Sequence, residues 1–112
     1  MADATADFFE ALGSRGRDPR IQKVKGTLRF DLTDGSRTTR WLLSFDRGEL
    51  GVSHRSTKAD CVVRMDKALF DSMARGEMNP FAAVLRGAVE VRGNPELLVL
   101  FRRLATAPPT PA

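Results

Sequence analysis

The chain has 112 residues, enough for one domain but too few for two halves that each bury an adequate core. Apolar residues make up 42% and charged residues 29%, a balance that excludes intrinsic disorder and, without a long apolar run, a membrane-spanning helix. The net charge of +4 matches the excess in segment 14–25, where Arg15, Arg17, Arg20, Lys23 and Lys25 are opposed only by Asp18, so a basic groove across the domain is not expected and nucleic acid is not a predicted partner.

Residues 5–12 place Phe8, Phe9 and Leu12 at helical spacing, and Gly13, Gly16 and Pro19 then interrupt the pattern. This predicts a short amphipathic helix followed by a basic connector. From Val24 the period changes to two, with Val24, Gly26, Leu28, Phe30 and Leu32 alternating with Lys25, Thr27, Arg29, Asp31 and Thr33, the pattern of a strand with one buried face. Asp34-Gly35 reads as a hairpin turn, because glycine accepts the positive φ of a tight turn, and Trp41, Leu43 and Phe45 alternate again beyond it. A second turn at Asp46-Arg47-Gly48 leads to Leu50, Val52 and His54. A polar loop at 55–58 then leads to Ala59, Cys61, Val63 and Met65, so that four successive strands are expected to form a largely antiparallel meander.

After Met65 the pattern becomes helical. Asp66 is placed to cap, Leu69, Phe70 and Met73 form an apolar stripe, and Gly76 supplies a left-handed stop. Asn79-Pro80 repeats the start signal and Phe81, Val84 and Leu85 run to a stop at Gly87, predicting a third helix of about two turns. Val89 and Val91 alternate as a last strand, and Asn94-Pro95-Glu96 opens a fourth helix with Leu97, Leu98, Leu100, Phe101 and Leu104 on a broad apolar face. Three prolines in ATAPPTPA make residues 105–112 an expected loose tail after a single domain spanning 1–104.

The inventory for catalysis is thin: one histidine, one cysteine and no tyrosine. His54 has no second histidine or cysteine pattern for zinc, and Cys61 falls on the apolar parity of its strand, so both are expected to be structural. No glycine-rich phosphate loop opens a helix, and Phe30, Trp41 and Phe45 fit a core better than an exposed stacking platform. The chain is therefore expected to be non-enzymatic and free of metal and cofactor. A lone cysteine and the absence of a secretory pattern in MADATADFFEALG point to a reducing, cytoplasmic compartment.

The stretch GEMNPFAAVLRGAVEVRGN, with Gly76, Asn79, Pro80, Ala83, Gly87 and Gly93, resembles the signature region of the sterol carrier protein type 2 family. The segments ADCVVRM and WLLSFDRGEL resemble that family's fourth strand and its tryptophan-bearing strand and turn, so the resemblance covers roughly residues 24–104. It implies an α+β fold, with a mostly antiparallel five-stranded sheet, about four helices over one face, and an apolar tunnel between them. It also implies a hydrophobic ligand such as a sterol, fatty acid, acyl-CoA or phospholipid.

By the same resemblance Trp41, Leu43 and Phe45 would line the sheet wall of the tunnel, and Phe70, Met73, Phe81, Val84, Leu85, Leu97, Leu98 and Phe101 the helical wall; each also fits plain core. The peroxisomal C-terminal address of eukaryotic members is missing, which suggests a stand-alone, bacterial-type carrier. An empty apolar cavity of about 300 Å³ would cost about 7 kcal/mol, so the tunnel is expected to hold lipid or to be partly collapsed by Met73 and phenylalanine side chains. The basic segment from Arg15 to Lys25 would serve either as a solvated connector or as a transient contact with an anionic membrane surface, where each cation contributes about 1 kcal/mol. The competing expectations are a protein-interaction module with a filled tunnel and an accessory domain that presents an apolar substrate to a separate enzyme.

Overall fold

The computed structural model describes residues 3–14, 16, 18–77, 82 and 86–106, with backbone only at Arg20 and at 103–106. Five strands form one mixed sheet: β1 (Lys25–Asp34), β2 (Arg37–Asp46), β3 (Glu49–Ser53), β4 (Cys61–Asp66) and β5 (Glu90–Gly93), in the spatial order β3-β2-β1-β4-β5. Three α-helices lie among the described residues: α1 (Ala4–Ser14), α2 (Lys67–Ala74) and α3 (Pro95–Thr106). The helix expected over 79–87 lies mostly outside the described residues.

The alternation read from the sequence becomes the two faces of the sheet. Leu28, Phe30 and Leu32 of β1, Trp41, Leu43 and Phe45 of β2, Leu50 of β3, and Cys61, Val63 and Met65 of β4 are all buried in one cluster with α1, α2 and α3. The opposite parity carries Arg29, Asp31 and Arg40, where Asp31 accepts from Arg29 Nε at 2.8 Å and Arg29 Nη2 at 3.0 Å and lies 3.6 Å from Arg40 Nε. A carboxylate side chain that is only 11% exposed is thereby charge-paired on the outer face.

Only the first three strands form a meander. β4 pairs with β1 in parallel, Leu28 opposite Cys61 through Thr33 opposite Asp66, and not with β3. Residues 54–60 are therefore a crossover, carried over the outer face of the sheet, where Arg29 Nη1 donates to the Thr57 carbonyl at 2.9 Å. Asp60 closes the crossing by accepting from the Thr27 amide at 2.9 Å while its own amide donates to Thr27 Oγ1 at 3.1 Å. The free edge of β1 needs partners for its backbone groups, and β4 supplies them.

The element ends also depart from expectation in places. The turn after β1 is Gly35-Ser36, with Asp34 still paired to Arg37, and Gly35 takes φ 63° as its first central residue. The first helix continues through Gly13 to Ser14; a Cβ at Gly13 would stand 3.2 Å from Val52 Cγ2, so this glycine serves a close approach to β3 and Gly16, at φ 66°, comes after the helix. Asp66 occupies the cap position of α2 without capping it, because its carboxylate accepts from Thr33 Oγ1 at 3.0 Å. The stop at Gly76 is as expected: the Gly76 amide donates to the Met73 carbonyl and the Glu77 amide to the Ser72 carbonyl, a Schellman pair. The last helix runs to Thr106, two residues beyond the expected end at Leu104.

The connector after α1 is fastened to the sheet. The Leu50 amide donates to the Gly16 carbonyl, the Asp18 amide to the Gly48 carbonyl and the Arg47 amide to the Val24 carbonyl, each at 2.9 to 3.0 Å. Pro19 opens a single 3₁₀ turn, Pro19–Ile21, which delivers Ile21 fully buried into the core.

Candidate functional site

The space between the sheet and the helices is apolar and rich in aromatic rings. Phe9 of α1 is at its centre, with ring centroids 4.6 Å from Trp41 of β2, 5.5 Å from Phe30 of β1, 5.2 Å from Phe70 of α2 and 6.5 Å from Phe101 of α3. Phe8 meets Phe70 and Phe101 edge-on at 5.6 and 5.8 Å, and Phe30 meets Phe101 at 4.7 Å. Offset and edge-on contacts of this kind add to the area term of burying each ring.

The residues assigned to the tunnel walls are brought together in this cluster as far as they are described. Trp41, Leu43, Phe45, Phe70, Leu97 and Phe101 are buried members, and Met73 and Leu98 pack against them partly buried. Phe81, Val84 and Leu85 lie outside the described residues. Sequence reasoning left out Phe8 and Phe9, which occupy the middle of the interior. Their i, i+1 placement on a helix with Leu12 was legible as an apolar face, but nothing local says how deep that face is inserted.

The polar groups stand at the rim. Asp3 caps α1, accepting from the amides of Thr5 and Ala6 at 3.0 and 3.2 Å. Thr5, 1% exposed, donates its hydroxyl and its amide to Asp71 of α2, the amide at 3.1 Å, and Lys67 Nζ stands 3.1 Å from both Asp3 and Asp71. Partial burial pushes the Asp71 carboxyl up, but the Thr5 and Lys67 hydrogen bonds and the Lys67 charge outweigh it and hold the carboxyl below its usual range. The Ala6 amide, with Lys67, does the same for Asp3. Burial pulls Lys67 down, yet its two carboxylate partners leave it above the ordinary lysine value.

The groups considered for chemistry have local partners. His54 Nδ1 lies 3.0 Å from the Arg40 carbonyl, which only accepts, and the ring meets Trp41 at a 48° tilt with centroids 4.0 Å apart. Cys61 is buried and its thiol is pushed up by desolvation, which suppresses thiolate chemistry. Of the basic segment, Lys23 and Lys25 are exposed, while Arg15, Arg17 and the side chain of Arg20 are outside the described residues. No helix among the described residues is long and apolar enough to cross a membrane.

The family model for the SCP-2 sterol transfer family matches residues 8–106. The chain belongs to this family. The SCP-2 match begins at Phe8 and not at Val24, so α1 from its two phenylalanines onward is part of the family domain. Among curated relatives, hydroxysteroid dehydrogenase-like protein 2 of Xenopus laevis is 28% identical over 105 residues, covering 92% of this chain and 25% of the frog protein. Human sterol carrier protein 2 is 29% identical over 91 residues, covering 79% of this chain and 17% of the human protein. The chain thus spans a quarter or less of these relatives' lengths. Among solved structures, sterol carrier protein 2 of Aedes aegypti in complex with the C16 fatty acid palmitate superposes with a TM-score of 0.72 at 20% identity, covering 95% of this chain and 97% of that one. At that identity the likeness speaks for the SCP-2 fold: α+β, with one mixed five-stranded sheet and helices over a single face.

Proposed function

We propose that the chain binds and carries a hydrophobic ligand, a fatty acid, acyl-CoA, sterol or phospholipid, in an apolar tunnel between the helices and the inner face of the sheet, and performs no chemistry on it. The observation that carries this reading is the character of that inner space: Phe9, Phe30, Trp41, Phe45, Phe70 and Phe101 are buried together between sheet and helices, and the charged groups Asp71 and Lys67 stand at its rim. Membership of the sterol transfer family and the palmitate held by the mosquito protein support it. A chain of about 15 methylenes at about 0.8 kcal/mol each contributes about 12 kcal/mol gross, and association and ordering costs reduce that to roughly micromolar affinity, suited to a carrier that also releases its cargo.

The experiment is displacement of a fluorescent fatty acid from delipidated protein by a panel of sterols, fatty acids and acyl-CoAs. Saturable displacement supports carriage and ranks the ligands. No binding by any of them would favour a second reading, suggested by the mutual contacts of Phe8, Phe9, Phe70 and Phe101: an interaction module whose interior is filled. Because the chain matches only part of longer relatives, presentation of an apolar substrate to a separate enzyme is a third role, separable by testing whether such an enzyme's rate depends on this domain. For delivery, exposed Lys23 and Lys25 support contact with anionic headgroups. Vesicle binding that is lost in moderate salt is the expected signature, and salt-insensitive binding would exclude it.

A further inference from the structure

We propose that α1 is the gate of the apolar interior, with Phe9 as its plug and the contact of Thr5 and Asp3 with Asp71 and Lys67 as its latch. The proposal rests on the reading that a hydrophobic ligand occupies the space between helices and sheet, and adds how that space opens.

Phe9 touches a ring on each wall: Trp41 and Phe30 on the sheet, Phe70 on α2 and Phe101 on α3. Protein interiors are close-packed, so a chain entering between these walls takes the volume of the ring that bridges them. No other aromatic ring among the described residues meets all four of these rings. Removing Phe9 from the interior moves the helix that carries it.

The two ends of α1 are held differently. At its C-terminal end Gly13 sits so close to Val52 of β3 that a Cβ there would crowd it, and just beyond, the Gly16 carbonyl and the Asp18 amide are tied to Leu50 and Gly48. That end is fixed, and Gly16 at φ 66° provides a pivot beside it. The N-terminal end is held on α2 by the polar set, Asp3 and Thr5 against Lys67 and Asp71; Thr5 is buried, but the side chains of Asp3, Lys67 and Asp71 are 47%, 22% and 19% exposed, so water reaches the three charged partners. Polar contacts near solvent are exchanged for hydration at small net cost, so this end is the one that lets go. The incoming ligand then compensates the aromatic contacts that Phe8 and Phe9 give up, and the closed state returns when it leaves.

The test is hydrogen exchange on the full chain, with and without saturating palmitate, together with stopped-flow uptake of the fluorescent fatty acid cis-parinaric acid by the wild type and Asp71→Asn. Palmitate is expected to lower protection across the α1 amides while the strand amides keep theirs, and Asp71→Asn is expected to raise the uptake rate about tenfold by weakening the closed state. Unchanged or increased α1 protection at saturation would overturn the gate and leave carriage standing. Uptake by Asp71→Asn at the wild-type rate would overturn the latch. Absence of saturable binding in either protein would overturn the carriage reading itself, and the gate with it.

Discussion

Phe9 of α1 lies flat against Trp41 of β2, with ring centroids 4.6 Å apart and planes within 12°. Because Trp41 is the only tryptophan in the chain, its fluorescence reports directly on whether α1 is seated. Phe9→Ala removes the ring that Trp41, Phe30 and Phe70 share and is expected to destabilise the fold by about 3–5 kcal/mol. The milder Phe9→Leu is expected to keep the fold and to shift Trp41 emission to longer wavelength. Urea unfolding followed by that emission checks both, and an unchanged midpoint for Phe9→Ala would contradict the central placement of the ring.

Gly93 is where two backbones meet. A Cβ there would stand 2.2 Å from the Asp60 carbonyl oxygen, and the residue has φ 96°, so neither space nor conformation accepts a side chain. Gly93→Ala is expected to cost about 3 kcal/mol or more, by prising β5 from β4 and breaking the Asn94 amide bond to Asp60 that precedes α3. A thermal melt showing less than 1 °C of change would rule this account out.

Arg47 has φ 50° in the turn between β2 and β3, a conformation unfavourable for a long side chain, and is followed by Gly48 at φ 97°. Two successive positive φ values match the turn that favours Asn-Gly. Arg47→Asn keeps the amide that donates to Val24 and is expected to stabilise the chain by about 0.5–1 kcal/mol. The denaturant midpoint should rise with an unchanged slope, and a lower midpoint would mean that the Arg47 side chain matters more than its backbone.

The latch has a definite pH signature. Asp71 and Asp3 are both held below their ordinary 3.8, so the unfolded chain binds protons more readily, and their stabilisation is complete above that value and lost as pH falls through the native ones. Lys67 is held above its ordinary 10.5, so its share is complete below that value and fades only as pH rises beyond it. The latch is therefore intact through neutral pH and begins to weaken in acid below about pH 4. Melting temperature against pH should fall less steeply below pH 4 in Asp71→Asn than in the wild type, and parallel curves would show that Asp71 contributes nothing.

Much of this arrangement is legible in the sequence. The alternation of Leu28, Phe30 and Leu32 with Arg29, Asp31 and Thr33 assigned both faces of β1, and Asn94-Pro95-Glu96 marked the start of α3, where Asn94 Oδ1 accepts from the Glu96 amide at 3.0 Å. Asp66 was misleading, because its cap position is occupied while its carboxylate is drawn to Thr33 on the neighbouring strand. Ile21 was overlooked in a segment that read as a basic connector, since one buried residue in a single 3₁₀ turn leaves no periodic trace.

What the amino-acid order alone determined is which side of the long strands is wet, where α2 stops at Gly76 and where α3 starts at Asn94-Pro95, since these follow from side-chain period and backbone conformation within a few residues. The tertiary structure alone decided that β4 joins the far edge of β1, that Phe9 sits between both walls, and that Thr5 finds Asp71 sixty-six residues away. Those outcomes depend on which distant surfaces close around one another with their hydrogen bonds met, and no local pattern encodes that choice of partner.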